Sequence, residues 1–276
     1  MTLRSALPAP VPLTRLAEAV IPIYLPDDDA DSRKPEIAGS GVLVEVGGQP
    51  FLLTAAHVLD ENEEGRASFY ISQDGGIGDA LECPAWKTPV PAGLERDDDP
   101  IDVGILQLTG EMLEKTARQP LMLAELDRSH RFGGSNEYGF FGYPDSQTKA
   151  RPGLRKVVSK DFLLIARSVA HARYTALNPR GDLPITPDTH LVAHVDPDRI
   201  VTDDDPTPRR MVDPHGISGG GIFRLTKNRQ AGCLVGIVLG RDPKTDLFMG
   251  GHVRTWLTLL ARTCQEVAQA LRVSGP

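Results

Sequence analysis

The stretch "MVDPHGISGGGIF", residues 211–223, sets Ser218 among four glycines, Gly216, Gly219, Gly220 and Gly221, directly before an apolar run. Glycine lets a backbone turn sharply and aim neighbouring N–H groups at one spot, so such a turn can stabilise negative charge developing beside a serine hydroxyl. Read alone, the stretch fits a polar turn, a strand-to-helix elbow of the G-x-S-x-G type, or a serine held beside an anion hole. What stands upstream decides among them.

"FLLTAAHV" (51–58) carries His57 at the end of an apolar strand, after the strand "GVLVEV" and the turn "GGQP". "PIDVGILQL" (100–108) sets Asp102 at the start of another strand. Acyl transfer by serine needs a hydroxyl, a base to take its proton, an acid to orient the base, and donors aimed at the oxyanion. The chain offers these in the order His57, Asp102, Ser218. The elbow of an α/β-hydrolase esterase would need a strand entering the serine, with Asp and His after it. Here the approach "PTPRRMVDPHG" is rich in proline and charge, and only Asp242 or Asp246 and then His252 follow. Too little chain remains for that fold's sheet and helices, so this is the weaker reading.

The rest of the chain fits many short strands. Its 276 residues are 40% hydrophobic, enough for a large core, and 27 Gly and 23 Pro punctuate it too densely for long helices. Further strand candidates are "SFYISQ" (68–73), "YGFFGYP" (138–144), "HLVAHV" (190–195), "GGIFRL" (220–225) and "CLVGIVLG" (233–240). Residues 145–190 are the least regular, and "FLLIARSVAHARYTAL" within them is read as strands. At the end, Trp256, Leu257, Leu260, Val267 and Leu271 recur at helical spacing and predict one amphipathic closing helix.

Several function classes drop out. A net charge of −7 gives no basic footprint for nucleic acid. The acidic runs at 27–31, 97–99 and 203–205 are read as solvated loops. Asp27, Asp29 and Asp31 alternate, but the Gly and Glu of a calcium loop do not follow. Cys83, Cys233 and Cys264 have neither metal spacing nor a disulfide framework. His190 and His194 are four apart and would share a strand face; they are read as surface histidines rather than zinc ligands. The N-terminal stretch is broken by proline and charge, and no window approaches the ~20 apolar residues of a membrane span. A reduced, cytoplasmic protein with no membrane and no cofactor is expected.

"GSGVLV", "FLLTAAHVL", "DVGILQL", "GYP", "GISGGGIF" and "LVGIV", spread over residues 37–253, resemble the successive blocks of the chymotrypsin/trypsin-like serine peptidases, in the style of their minimal bacterial members. The resemblance implies an all-β fold of two packed six-stranded β-barrels with a C-terminal α-helix. An N-terminal segment (1–36) with a short helix and first strand would precede a first barrel (37–135) carrying His57 and Asp102. A second barrel (136–252) would carry Ser218, and the helix (253–276) would close the domain. The resemblance also implies hydrolysis of a protein or peptide substrate through an acyl-enzyme. Ser218 would be the nucleophile, His57 the base and then the acid, and Asp102 its orienting group. The N–H groups of Gly216 and Ser218 would form the oxyanion hole. A histidine base would make the rate fall as pH drops through the ordinary histidine range near ~6.5.

The chain departs from that family in informative places. Ile217 stands where the digestive members carry an Asp that pairs with a newly cut N-terminus. The oxyanion hole must therefore form unaided or be ordered by a partner or substrate. Leu239 stands where those members often carry a serine near the catalytic Asp. The substrate pocket is expected along Val212, Asp213 and His215 before the serine, and Val238, Leu239 and Gly240 after it, suiting a small or apolar side chain. A peptidase without a targeting signal must be restrained, so a dedicated target or a regulatory protein partner is expected. The rival reading is a binding module that keeps the fold without the chemistry.

Overall fold

The structure, a computed structural model, describes residues 8, 10–25, 36–60, 70–73, 76–80, 83–96, 99–133, 136–151, 156–170, 173–174, 185–201, 214–242, 245 and 247–273. The first part of the chain builds β1 (Val11–Pro12), α1 (Leu13–Glu18), β2 (Val20–Leu25), β3 (Glu36–Val46), β4 (Gln49–Ala55), α2 (Ala56–Asp60), β5 (Tyr70–Gln73), β6 (Gly76–Ala80), β7 (Ala85–Lys87), β8 (Val103–Gln107), α3 (Gly110–Thr116) and β9 (Leu121–Met122). The second builds β10 (Glu137–Gly142), β11 (Thr148–Arg151), β12 (Lys156–Ser159), β13 (Phe162–Ser168), β14 (His190–Val201), β15 (Gly221–Leu225), β16 (Ala231–Asp242) and β17 (Leu247–His252), then α4 (Val253–Thr263) and α5 (Gln265–Val273).

Six strands close on themselves. They run β16-β15-β10-β13-β14-β17, and β17 pairs back to β16, with β1 added alongside β16. Period-two alternation explains the closure, because every second residue of a strand must face one interior. Tyr138 and Phe140 of β10, Phe162, Leu164 and Ala166 of β13, and Leu191, Ala193 and Val195 of β14 form that interior with Ile222, Val235, Val238 and Phe248. The other strands form one ten-stranded sheet in the order β11-β12-β6-β5-β2-β3-β4-β8-β7, with β9 beside β3. Of the two six-stranded barrels expected, the described pairings close one. The hairpin β11–β12, from the stretch expected in the second barrel, instead extends the first sheet at β6.

β3 and β4 are a hairpin, and Gly47 and Gly48 both take the positive φ that a two-residue turn matching strand twist requires. Their runs Val42–Val44 and Phe51–Leu53 are fully buried. α4 lays Val253, Trp256, Leu257 and Leu260 on the same core.

The single closing helix is in fact two. Cys264 leaves the helix (φ −130, ψ 119) after its N–H has bonded to the Leu260 carbonyl. Its own carbonyl then accepts from Ala268 and its Sγ reaches Glu266 at 3.2 Å, so Cys264 ends one helix and starts the next. Thr263 and Cys264 are both weak helix formers, which lets local bonding win there. Among the described residues, no helix is long and apolar enough to cross a membrane. The mostly-β protein therefore has one closed six-stranded barrel, a second large sheet and C-terminal helices.

Candidate active site

β4 and β8 pair antiparallel, with Ala55 opposite Val103, so the residues just past the end of one and just before the start of the other must meet. His57 and Asp102 occupy those places. His57 lies in the short helical turn α2 rather than at the strand end itself. One Asp102 oxygen accepts the His57 backbone N–H at 2.8 Å, and the other lies 2.5 Å from His57 Nδ1. A carboxylate only accepts, so Nδ1 carries the proton of this bond. The Asp102 side chain is 5% exposed and that of His57 31%, so the carboxylate is buried while the imidazole reaches solvent.

The turn carrying Asp102 is held from three directions. Buried Asp99 accepts the Ile101 N–H at 2.9 Å and an Arg96 Nη1–H at 2.8 Å. Arg96 also bonds Asp60, which Lys87 pairs on its other oxygen, both at 2.5 Å. Burial pushes the Asp60 carboxyl up, but the bonds from Lys87 and Arg96 outweigh it and hold it below the ordinary value. Thr88 Oγ1 donates to the Ile101 carbonyl and accepts from Val103 N–H. From the barrel side, His190 Nε2 donates to the Pro100 carbonyl at 2.6 Å. His190 is 3% exposed, so it is not the surface residue expected; it is a buried tie between β14 and the Asp102 turn. His194 is exposed, and the two do not make a pair.

Ser218 stands in a tight loop running into β15. Ile217 N–H bonds the Pro214 carbonyl, Gly220 N–H the Ile217 carbonyl, and Gly219 N–H the Val238 carbonyl, while Val238 N–H returns to Gly220. Among the described residues, the N–H groups of Gly216 and Ser218 donate to no carbonyl. The Ser218 hydroxyl donates to the Leu239 carbonyl at 3.3 Å. Leu239 lies at a register shift between Val238 and Gly240, which turns its carbonyl out of the β16–β17 ladder.

Gly39 shows how close the two halves of the site come. A Cβ built there would lie 2.6 Å from Val58 Cγ2, next to His57, and 2.9 Å from the Ser218 carbonyl oxygen. Next in sequence, Ser40 N–H bonds that Ser218 carbonyl at 2.7 Å, and Ser40 Oγ donates to the Gly216 carbonyl at 2.9 Å. Sequence reading passed over Ser40 and Arg96, took His190 for a surface residue, and took Asp99 for part of a solvated acidic loop, whereas its bonds to Arg96 and Ile101 let it be buried. "GSG" at 39–41 was the only signal for the first.

The expected pocket residues are more scattered. Val212 and Asp213 lie outside the described residues. His215 is exposed, and its carbonyl accepts the Asp145 N–H. Val238 is fully buried in the barrel interior, Leu239 is 8% exposed on the larger core, and Gly240 is half-buried.

The chain matches no family model and no curated protein. Among solved structures it is similar to the serine protease domain of the Sesbania mosaic virus polyprotein. That likeness has 11% identity and a TM-score of 0.45, covering 89% of this chain and 94% of that one. It is also similar to a structure from work on aromatic interactions driving the coupled folding and binding of the intrinsically disordered VPg protein of the same virus. There the identity is 12% and the TM-score 0.46, over 89% of this chain and 91% of the other.

Proposed function

We propose that this chain is a serine endopeptidase of the trypsin-like type, with two β-barrel halves, acting on a protein or peptide in the cytoplasm of a bacterium without a cofactor. One observation carries the reading. Asp102 gives both oxygens to His57, at 2.8 and 2.5 Å, beside a serine loop whose Gly216 and Ser218 N–H groups are uncommitted among the described residues. This is the division of labour that acyl transfer asks for.

In the proposed reaction the Ser218 hydroxyl rotates about χ1 from Leu239 toward His57, loses its proton to Nε2 and attacks the carbonyl carbon of the scissile bond. The oxyanion takes the N–H groups of Gly216 and Ser218. His57 then gives the proton to the leaving amine, and water repeats the sequence on the acyl-enzyme. Asp102 holds the ring in one tautomer and stabilises the imidazolium. Of the specificity pocket expected along Val212, Asp213, His215, Val238, Leu239 and Gly240, the proposal keeps His215, Leu239 and Gly240 as walls; Val238 is taken up by the barrel interior, and Val212 and Asp213 lie outside the described residues.

The Ser218–Leu239 bond is the observation favouring a second reading, a silent or partner-gated binding module. A fluorophosphonate probe separates the two. A working triad labels Ser218, loses labelling in Ser218→Ala and His57→Ala, and hydrolyses peptide roughly a million-fold faster than Ser218→Ala. Asp102→Asn is expected to lose about 10⁴-fold in turnover while still folding. A wild-type protein that neither labels nor cleaves would refute the peptidase reading.

A further inference from the structure

The geometry points to Ser40 as the positioning residue that holds the oxyanion loop assembled, in place of a charge-based activation switch. This inference rests on the reading of Ser218 as a nucleophile. It starts from Ile217. The residue before the serine is apolar, is 3% exposed, and packs into the barrel interior with Phe140, Val238 and Ile222. Gly142 lets it in, because a Cβ there would lie 3.1 Å from Ile217 Cβ. An apolar anchor thus occupies the place where an ion pair would otherwise fix the loop.

An anchor on the side chain of residue 217 does not by itself orient the backbone on either side of it. Ser40 does. It is fully buried in β3, whose partner strand fixes it opposite Pro22. Its N–H takes the Ser218 carbonyl at 2.7 Å and its hydroxyl takes the Gly216 carbonyl at 2.9 Å. The same hydroxyl accepts the Tyr143 N–H at 2.9 Å, so its proton is committed to Gly216. The Ser40 carbonyl is held in turn by Thr54 Oγ1 at 2.8 Å, three residues before His57. One residue of the sheet that carries the base thus grips the carbonyls of both residues whose N–H groups face the oxyanion. A carbonyl shares its plane with the N–H of the following residue, so Ser40 fixes the 216–217 and 218–219 peptides, which bracket the 217–218 peptide and adjoin the 215–216 peptide that carry the two donors. Donors whose neighbouring peptides are held in this way stabilise an oxyanion with little reorganisation.

The test uses the full chain with Ser40→Ala and Ser40→Cys, the second nearly the same shape with a weaker donor. Ser40→Ala is expected to lower kcat about 10- to 100-fold with KM within about twofold, and Ser40→Cys to show the same split at smaller size. Hydrogen exchange at the Ile217, Gly219 and Gly220 amides should speed up about tenfold or more relative to amides of the β16–β17 ladder. The downfield proton resonance of the His57–Asp102 pair should not move. Unchanged loop exchange, an effect on KM alone, or a shifted His57 resonance would each overturn the role of Ser40. If the wild type fails to cleave peptide while loop exchange responds as stated, the peptidase reading falls and the structural grip of Ser40 stands.

Discussion

Gly219 has the least freedom of any residue at the site. Its φ is +83, and an added Cβ would sit 2.0 Å from the Ser40 carbonyl oxygen and 2.2 Å from Thr54 Oγ1. Neither neighbour can yield, since both belong to the bonded group that holds the loop. Gly219→Ala is therefore expected to cost more than about 2 kcal/mol, from a strained φ and overpacking together, and to abolish labelling of Ser218. Gly110 is the control, because a Cβ there meets nothing within 4 Å. Gly110→Ala should leave labelling intact and be neutral or stabilising by up to about 1 kcal/mol, as urea unfolding would show. The same residues mark what a sequence reveals. His57, Asp102 and Ser218 stood out as candidates because residue type, flanking pattern and chain order all agree for them, and the fold brings His57 and Asp102 into contact. Ser40 did not stand out, because its importance lies in bonds to Gly216 and Ser218, 176 and 178 residues away, and a buried serine looks like any other. His190 was misread for a similar reason: strand periodicity says which face it takes, not that Pro100 lies opposite.

At the scale of elements, strands were the most readable part, since alternating apolar positions must fill one interior. β8, β10, β15 and β16 lie where those runs put them. The hairpin β11–β12 escaped because its short polar strands carry no such period. The break at Cys264 escaped because the apolar spacing runs across it unchanged. Packing of α4 against the candidate site, through Trp256 and the Thr54 carbonyl, was also invisible beforehand, and it carries a prediction. Trp256 is 1% exposed and its Nε1–H donates to the Thr54 carbonyl at 2.7 Å, three residues before His57. With Asp102, His190 and Gly251 it borders a cavity of about 80 Å³. Trp256→Ala joins that cavity to a much larger void and is expected to cost about 3–5 kcal/mol. Trp256→Phe keeps most of the packing but leaves the buried Thr54 carbonyl without that bond, at about 1–3 kcal/mol. Thermal unfolding of the two variants should rank them in that order. If Trp256→Ala were as stable as the wild type, α4 could not be a support of the site.

For the molecule as a whole, acid is the condition its charges least tolerate. His130 and His252 lie together where the barrel meets α4, with Phe132 stacked edge-on or tilted against both rings. His252 Nε2 donates to the His130 carbonyl at 2.9 Å and its Nδ1 accepts the Arg254 N–H, while His130 Nε2 lies 3.0 Å from the Tyr138 hydroxyl. Burial pushes His130 down to about 4, with Arg224 adding to it and Asp127 opposing. Burial also pushes His252 down to about 4; Arg254 adds to it, the bond to the His130 carbonyl opposes it, the His130 ring charge adds and Asp127 opposes. Both rings are therefore neutral in the folded protein at a pH where unfolded histidines, near ~6.5, already bind protons. Stability is full above that value and falls as pH drops from about 6.5 toward about 4, by at most about 3 kcal/mol for each ring. Glu137 opens a second, lower window. Its bonds to Arg229 and Arg167 hold it down to about 2, so the stability it contributes is lost as pH falls from the ordinary glutamate range toward about 2. Urea unfolding between pH 4 and 8 reads the first window directly. In His130→Gln the slope of stability against pH between about 4.5 and 6 should shrink by about 1.4 kcal/mol per pH unit, the contribution of one proton. Equal slopes in wild type and variant would mean that His130 takes up its proton in the folded protein as readily as in the unfolded chain, and the cluster would then not be what limits the molecule in acid.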